Sequence, residues 1–339
     1  MLPRPDEIAA AFGLGQPLGA PRPLANGDGP SATSVLATDR GRWVVKTGRL
    51  LGDWQCRHAH HAHRLEQAAL AAGVPLPRPV EPPEPAVGAW HRFADGPEIV
   101  RVTPWAEGHD LRTADAADTS LPDAARWTGD VLGRIALLGL DAGTDLDDNS
   151  PVHPMTDWHA WVAEAETGGH AVARPARALL PVIDEATALI LHALEERPRT
   201  VLVHGDTSRA NILRTPAGYL LLDWDSVTAE VPWWETVSVA FRFATPFNGP
   251  MAEGDPRVVR PVIKGYLARG APGGPAEVSA FAGLLRSQLA SLAWCLWLSL
   301  GHRGAGPAQR AFGLRFVASA AEHLPRVLAS LERWTALLR

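Results

Sequence analysis

Val201–Asp225 reads VLVHGDTSRANILRTPAGYLLLDWD, and the way this stretch must bend decides the fold class. Asp206 follows His204-Gly205, Asn211 lies five residues on, and Asp223 ends an apolar run. Ile212-Leu213-Arg214 and Tyr219-Leu220-Leu221-Leu222 are strand patterns on either side of Thr215-Pro216-Ala217-Gly218, a turn signal. A hairpin closed by that turn sets Leu213 near Leu220 and brings Asn211 close to Asp223. Asp206, on the loop before the first strand, then faces the same place. A carboxylate and an amide oxygen, with waters and phosphates completing the shell, suit Mg²⁺ on a nucleoside triphosphate better than a softer metal.

His204-Gly205-Asp206, Asn211 and Leu222-Asp223-Trp224-Asp225 together resemble the pattern of the aminoglycoside phosphotransferase and choline kinase-like family, relatives of the protein kinases. The resemblance implies an α+β, bilobal protein kinase-like fold: a small N-terminal antiparallel-sheet lobe and a larger, mainly helical C-terminal lobe. It also implies that Asp206 is the catalytic aspartate, that Asn211 and Asp223 hold Mg²⁺, and that ATP is the phosphoryl donor, with GTP as the alternative. Phosphoryl transfer draws most of its acceleration from positioning and charge neutralisation. Asp206 accepts the acceptor hydroxyl's proton late, so an ordinary carboxylate suffices.

Such an enzyme needs a cation for the phosphates, and composition makes it easy to find. Of 32 Lys plus Arg, only Lys46 and Lys264 are lysines. Lys46 ends the strand pattern Arg42-Trp43-Val44-Val45-Lys46, which comes after Ser34–Ala37 across the turn Asp39-Arg40-Gly41. A compact ammonium and a forked guanidinium are not interchangeable at a crowded phosphate site, and the resemblance assigns Lys46 to the α- and β-phosphates. Asp53–Ala72 reads as a helix closed by Gly73 and Val74-Pro75. Glu66 lies on it, where the family places the glutamate that pairs with the lysine. Gly27, Gly29 and Ser31, in the loop before the first hairpin, are expected to fold over the phosphates. The glycine spacing there also matches a dinucleotide fingerprint weakly, but that requires a helix next, and a strand pattern stands there instead. Pro104–Gly108, with Trp105 and Glu107, resembles the hinge that meets the adenine edge.

The expected domains are therefore a nucleotide-binding lobe at 1–103, a hinge at 104–108, and a catalytic and substrate-binding lobe at 109–339. Strands are expected at Gly88–Phe93 and Ile99–Thr103. Helices are expected at Asp123–Leu140, Asp157–Thr167, Arg174–Leu194, Pro256–Ala268, Glu277–Leu300 and Pro307–Leu338. Leu284, Leu285, Leu289, Leu292, Leu296 and Leu300 recur at helical spacing, which marks a core face. Substrate contacts are expected from Asp225, Glu230, Trp233 and Glu235, with the acidic run Asp145–Asp148 and the aromatic patch Phe241–Phe247 as further candidates. Many family members carry Gly-x-Pro and a bracing aspartate where Glu230–Val237 stands here, so the acceptor class departs from the common pattern more than the chemistry does.

The net charge of −5 over 339 residues, with no basic stripe, argues against a nucleic-acid partner. Cys56 and Cys295 are far apart in sequence without ligand spacing, as reduced thiols of a cytoplasmic protein would be. The apolar stretch Leu289–Leu300 is too short and serine-broken to span a bilayer and reads as a buried helix, so no membrane is expected. His58, His60, His61 and His63 read as a solvated helix face. The expected function is transfer of the ATP γ-phosphoryl group to a hydroxyl of a small molecule, by a monomer or homodimer. The acceptor is an antibiotic (aminoglycoside-like or a peptide natural product) or, alternatively, a metabolite such as an amino alcohol, sugar or nucleoside. A non-catalytic nucleotide-binding regulator and a metal-dependent hydrolase built on His204 are the readings from other classes.

Overall fold

Alternation along Arg42–Lys46 calls for a strand with two unlike faces, and the computed structural model sets it in the middle of an antiparallel sheet. The structure describes residues 3–24, 32–50, 52–93, 97–114, 118–143, 146, 150–245, 251 and 254–339. Among them the chain begins with α1 (Pro5–Ala11), β1 (Arg22–Pro23), β2 (Ala32–Thr38), β3 (Gly41–Arg49) and α2 (Asp53–Ala71). It continues through β4 (Ala86–Val87), β5 (Trp90–Arg92), β6 (Glu98–Pro104) and β7 (His109–Asp110). Three helices come after these, α3 (Leu121–Leu138), α4 (Met155–Thr167) and α5 (Ala173–Glu195). Next stand β8 (Val201–Val203), β9 (Ile212–Thr215), β10 (Gly218–Leu221) and β11 (Thr228–Glu230). The remaining helices are α6 (Pro232–Phe243), α7 (Pro256–Leu267), α8 (Ala282–Leu300) and α9 (Pro307–Trp334).

The chain divides into two compact units. One comprises Met1–Leu111, Leu138–Asp147 and His204–Thr228; the other comprises Arg112–Leu137, Asp148–Val203 and Ala229–Arg339. The segment with Asp206, Asn211 and Asp223 thus groups with the N-terminal sheet, although the sequence reading places it among residues 109–339. The reason is backbone pairing. β9 lies between β10 and β7, and the Leu221 N–H donates to the Pro75 carbonyl at 2.9 Å.

In the first unit the sheet order is β1-β2-β3-β6-β5-β4, with Val45 opposite Val102 and Lys46 opposite Arg101. Side chains alternate across a strand, so the sheet buries two different sets. Leu36, Val45, Val100 and Val102 pack with Ile8, Ala9, Phe12 and Leu14 at and beyond α1. On the opposite face Ile99 and Trp90 meet Ala59 of α2. Each such aliphatic side chain contributes about 1.5–3 kcal/mol when fully buried. α2 starts where the Gln55 side chain accepts from the Gly52 N–H at 3.1 Å, with Asp53 complementing the helix dipole. It ends before Gly73, whose φ of +72° closes the last turn, and Pro75 forbids continuation. Its buried stripe, Ala62, Leu65, Glu66 and Ala69, keeps helical spacing and includes the glutamate. The hairpin of β9 and β10 has the register that its turn requires, with Leu213 opposite Leu220, and the Leu222 N–H donates to the Asn211 carbonyl at 2.8 Å.

Among its described residues the regular structure of the second unit is helical apart from the short pair β8–β11. α8 packs on α5, α6 and α9, and all six leucines of its expected core face are buried. Together with the turn before it, this helix is long and apolar enough to cross a membrane, yet 67% of that window is buried inside the protein. α6 is a helix that the sequence reading does not anticipate; ten of its twelve residues are buried. Glu230 sits just before it, fastened by two hydrogen bonds from Arg286 at 3.0 and 2.9 Å in a buried ion pair.

α3 and α7 cross at glycine. A Cβ added at Gly129 would lie 2.0 Å from the Val262 carbonyl oxygen, so the two backbones touch only because the side chain is missing. Gly129→Ala is expected to destabilise the protein by about 1–3 kcal/mol, read as a lower urea midpoint at unchanged slope. An unaltered midpoint would show that this crossing is looser than its geometry implies.

Candidate active site

The loop after β8 is held by its histidine. His204 is fully buried, its Nε2 lies 3.0 Å from the Leu222 carbonyl, and its Nδ1 accepts the Asp206 N–H at 3.3 Å. These partners select the neutral tautomer with the proton on Nε2. Its ring meets Trp224 edge-on at 4.9 Å. His204 therefore binds the loop to the end of the hairpin, and neither nitrogen is left to ligate a metal. Gly205 takes φ +77°, and a Cβ there would lie 2.1 Å from the Ser226 carbonyl oxygen. Only glycine lets the loop pass so close to the turn after Asp223.

Asn211 restrains Asp206. Its Nδ2 donates to both the main-chain oxygen and Oδ2 of the aspartate, each at 2.8 Å. Two acceptors on one side settle which end of the amide carries the nitrogen. The hairpin register and the Leu222 N–H bond to the Asn211 carbonyl set the backbone of Asn211 beside Leu222, one residue from Asp223. Asp223 has φ 58° and ψ 69°, a left-handed conformation that costs a non-glycine residue on the order of 1 kcal/mol or more. Among the described residues no group of three His, Cys, Asp or Glu is arranged to hold a metal.

Lys46 reaches this place across 177 positions. Its Nζ donates to Asp223 Oδ1 at 2.7 Å and lies 2.8 Å from Asp225 Oδ2. Asp225 Oδ1 accepts from Arg101 Nη1 at 2.9 Å, and Arg101 Nη2 donates to Glu66 Oε1. The expected Lys46–Glu66 pair is thus not the one formed. Glu66 is fully buried against Arg101, a residue that the sequence reading passes over, and Lys46 is held by Asp225 and Asp223. The register explains why: Lys46 and Arg101 are directly opposite on neighbouring strands, and the guanidinium is the cation that the α2 glutamate meets. A signal was present in the alternation Ile99-Val100-Arg101-Val102, where a charge sits on a strand buried on both faces.

These contacts set the electrostatics. Burial disfavours the ammonium of Lys46, but Asp225 and Asp223 overcome it and hold its pKa above the ordinary lysine value. Burial likewise opposes ionisation of Asp225, yet Arg101 and Lys46 win and keep that carboxyl below its usual range. Burial raises Glu66, and Arg101 offsets only part of the effect.

Gly27, Gly29 and Ser31 lie outside the described residues, as do Asp145, Asp147 and Asp148 of the acidic run and Phe247 of the aromatic patch. The main-chain N–H of Trp105 donates to the Arg42 carbonyl at 2.9 Å, and the Arg42 guanidinium stacks 5.6 Å from the Trp105 ring and pairs with Glu107. These two side chains thus brace the end of β3. Glu230 is neutralised by Arg286, Glu235 is buried, and the Trp233 indole N–H donates to the Pro275 carbonyl at 3.3 Å. Trp233 and Glu235 belong to α6, a helix buried on nearly every side, and Glu230 stands just before it. The histidine run is not a solvated face: His61 is buried, His58 and His63 are half-buried, His58 Nε2 meets the Asp225 carbonyl at 2.9 Å, and His60 is exposed. Cys295 is buried, which pushes its thiol up to about 12, and both cysteines are free.

Gly205→Ala is expected to lower stability by about 1–3 kcal/mol and phosphoryl transfer by roughly ten-fold or more, since a displacement of about 1 Å next to Asp206 is costly. A thermal melt and an ADP-release assay on the same sample separate the two effects. Full activity in that variant would mean that the loop tolerates a shift that this geometry forbids.

Residues 22–281 match the sequence profile of the phosphotransferase enzyme family. No curated protein sequence gives a significant match. Among solved structures, spectinomycin phosphotransferase in complex with ADP and spectinomycin aligns with TM-score 0.63 and 11% identity, over 91% of this chain and 94% of that one. A microcompartment-associated aminopropanol kinase aligns with TM-score 0.59 and 18% identity, covering 92% of this chain and 93% of its own. A choline/ethanolamine kinase family protein from Mesorhizobium loti gives 0.56 and 19%, over 96% and 97%. The antiparallel sheet followed by helices is the kinase-like fold that these proteins share, and the chain belongs to the phosphotransferase enzyme family.

Proposed function

We propose that the protein is a Mg²⁺-dependent phosphotransferase that moves the γ-phosphoryl group of ATP to a hydroxyl of a small molecule. The observation that carries this reading is the meeting of Lys46 with Asp223 in the unit that also holds the Asp206–Asn211 pair. Lys46 binds the phosphates, and Asn211 and Asp223 hold the magnesium. A magnesium–nucleotide bound there supplies an activated phosphoryl group whose charge is already partly neutralised. Asp206, kept in place by the Asn211 amide, accepts the hydroxyl proton of the acceptor. Residues 1–103 serve as the nucleotide lobe, 104–108 as the hinge beside the adenine, and 109–339 as the lobe that supplies the catalytic residues and binds the acceptor. The protein works in the cytoplasm, where Cys56 and Cys295 stay reduced.

The acceptor is an antibiotic-like natural product or an amino-alcohol metabolite. Solved structures of similar fold include enzymes named for both kinds of acceptor, spectinomycin on one side and aminopropanol on the other. The neutralisation of Glu230 by Arg286, and of Asp225 by two cations, favours an acceptor with few positive charges over a polycationic aminoglycoside, which needs unpaired carboxylates.

Asp206→Asn retains the main-chain oxygen and one side-chain oxygen for Asn211 but cannot take a proton. It is expected to lower ADP release in the presence of acceptor by about a hundred-fold or more while Mg·ATP binding stays near the parent's. Turnover close to that of the parent would refute the assignment. A competitive screen of antibiotics and amino alcohols, read as mass gain of one phosphate, identifies the acceptor; no phosphorylated product from either class would remove the acceptor assignment.

A further inference from the structure

Lys46 and Arg101 face each other on neighbouring strands, which brings two cations onto one side of the sheet. Like charges in directly opposite positions repel. The carboxylate between them is Asp225, which gives Oδ1 to Arg101 and Oδ2 to Lys46. Glu66 closes the far end of the chain by taking the other arm of the guanidinium. Arg101 is 7% exposed and Glu66 is fully buried, so this end is a fixed support, whereas Lys46 and Asp223 at the other end are partly open. His58 adds a second tie from α2, to the main chain of Asp225.

From this geometry we infer that Arg101 is a positioning residue for the nucleotide site: it aims Asp225, and Asp225 in turn orients the Lys46 ammonium toward the phosphates. The inference rests on the assignment of Lys46 to the phosphates in the proposed function and adds a division of labour. Glu66 does not orient Lys46. It acts through Arg101, as the counter-charge that allows a guanidinium to be buried there. Asp225 is the lysine's anchor, which leaves Asp223 available to the metal once the nucleotide arrives. A lysine in place of Arg101 would not serve both carboxylates, because a planar fork with two N–H arms is what spans Glu66 and Asp225.

The test is Mg·ATP binding measured by calorimetry, which needs no acceptor, with a thermal melt on every variant. The double variant R101M/E66Q removes a buried cation and its buried partner together, so no lone charge is left inside, and its melting midpoint is expected within about 5 °C of the parent's. Its affinity for Mg·ATP is expected to fall by about ten-fold, the effect of one mis-set polar contact. D225N is expected to fall by a similar factor, and the triple variant R101M/E66Q/D225N no further than D225N, because the arginine acts only through the aspartate. A purely structural role would lower the melting midpoint and leave the affinity alone.

A folded double variant that binds Mg·ATP within about two-fold of the parent overturns the inference. So does a triple variant whose loss is the product of the other two. If the double variant does not fold, R101K carries the test: it keeps the charge beside Glu66 and loses the second arm, so the same loss is expected, and binding like the parent's overturns the inference. K46M is the control for the underlying reading. Unchanged Mg·ATP binding in K46M sinks the phosphate role of Lys46 itself, whereas loss there with retention in R101M/E66Q sinks only the role of Arg101.

Discussion

The Asp225 carboxylate between Lys46 and Arg101 is the interaction on which the rest of the site hangs. Two strands that bring a lysine and an arginine face to face cannot pair comfortably unless a negative charge sits between the cations. That charge comes from the turn after β10, so the turn must be drawn onto the sheet. The same contact carries Asp223 along, two residues earlier, and helps to hold it in a left-handed conformation that an isolated chain would leave. α2 is bound to this point twice, by Glu66 through Arg101 and by His58 through the Asp225 carbonyl. Elements separated by more than a hundred residues thereby share one set of charges.

Around that centre, neutral polar contacts set the loop. His204 is spent entirely on hydrogen bonds to Leu222 and Asp206, and Gly205 passes where no side chain fits. The Asn211 amide holds Asp206 by both its backbone and its carboxylate. These contacts explain why His-Gly-Asp and the asparagine beyond it behave as a unit. The histidine and the glycine give the loop its shape, the asparagine restrains the aspartate, and the aspartate is left with the proposed chemistry. In the second unit Glu230 and Glu235 are both buried, and Glu230 is paired with Arg286.

Much of this is legible in the sequence. The Asn211–Asp223 juxtaposition comes from one turn and two alternating strands, because a short hairpin has its register set locally. Lys46 stands out because arginine is the chain's default cation. The core face of α8 can be read from its leucine spacing. What could not be read is which cation meets which acid. Glu66 lies on the buried stripe of α2, and its partner depends on whether β3 or β6 presents a cation beneath that point, a matter of sheet order and not of sequence distance. The helix over Pro232–Phe243 was hidden for a related reason. Its two tryptophans and its one glutamate read as a ligand surface, and ten of its twelve residues are buried.

Residue order alone therefore specified the local devices: the hairpin, the His-Gly-Asp loop motif, the lone N-terminal lysine, the apolar periods and the family they resemble. Each depends on neighbours in the chain or on residue type. Folding was needed to set the order of the ion chain, from Glu66 through Arg101 and Asp225 to Lys46 and Asp223, and to bury the acids beside α6. Pairing between charges depends on distances of a few ångströms in a poorly screened interior, and those distances exist only once strands from far apart in the sequence lie side by side.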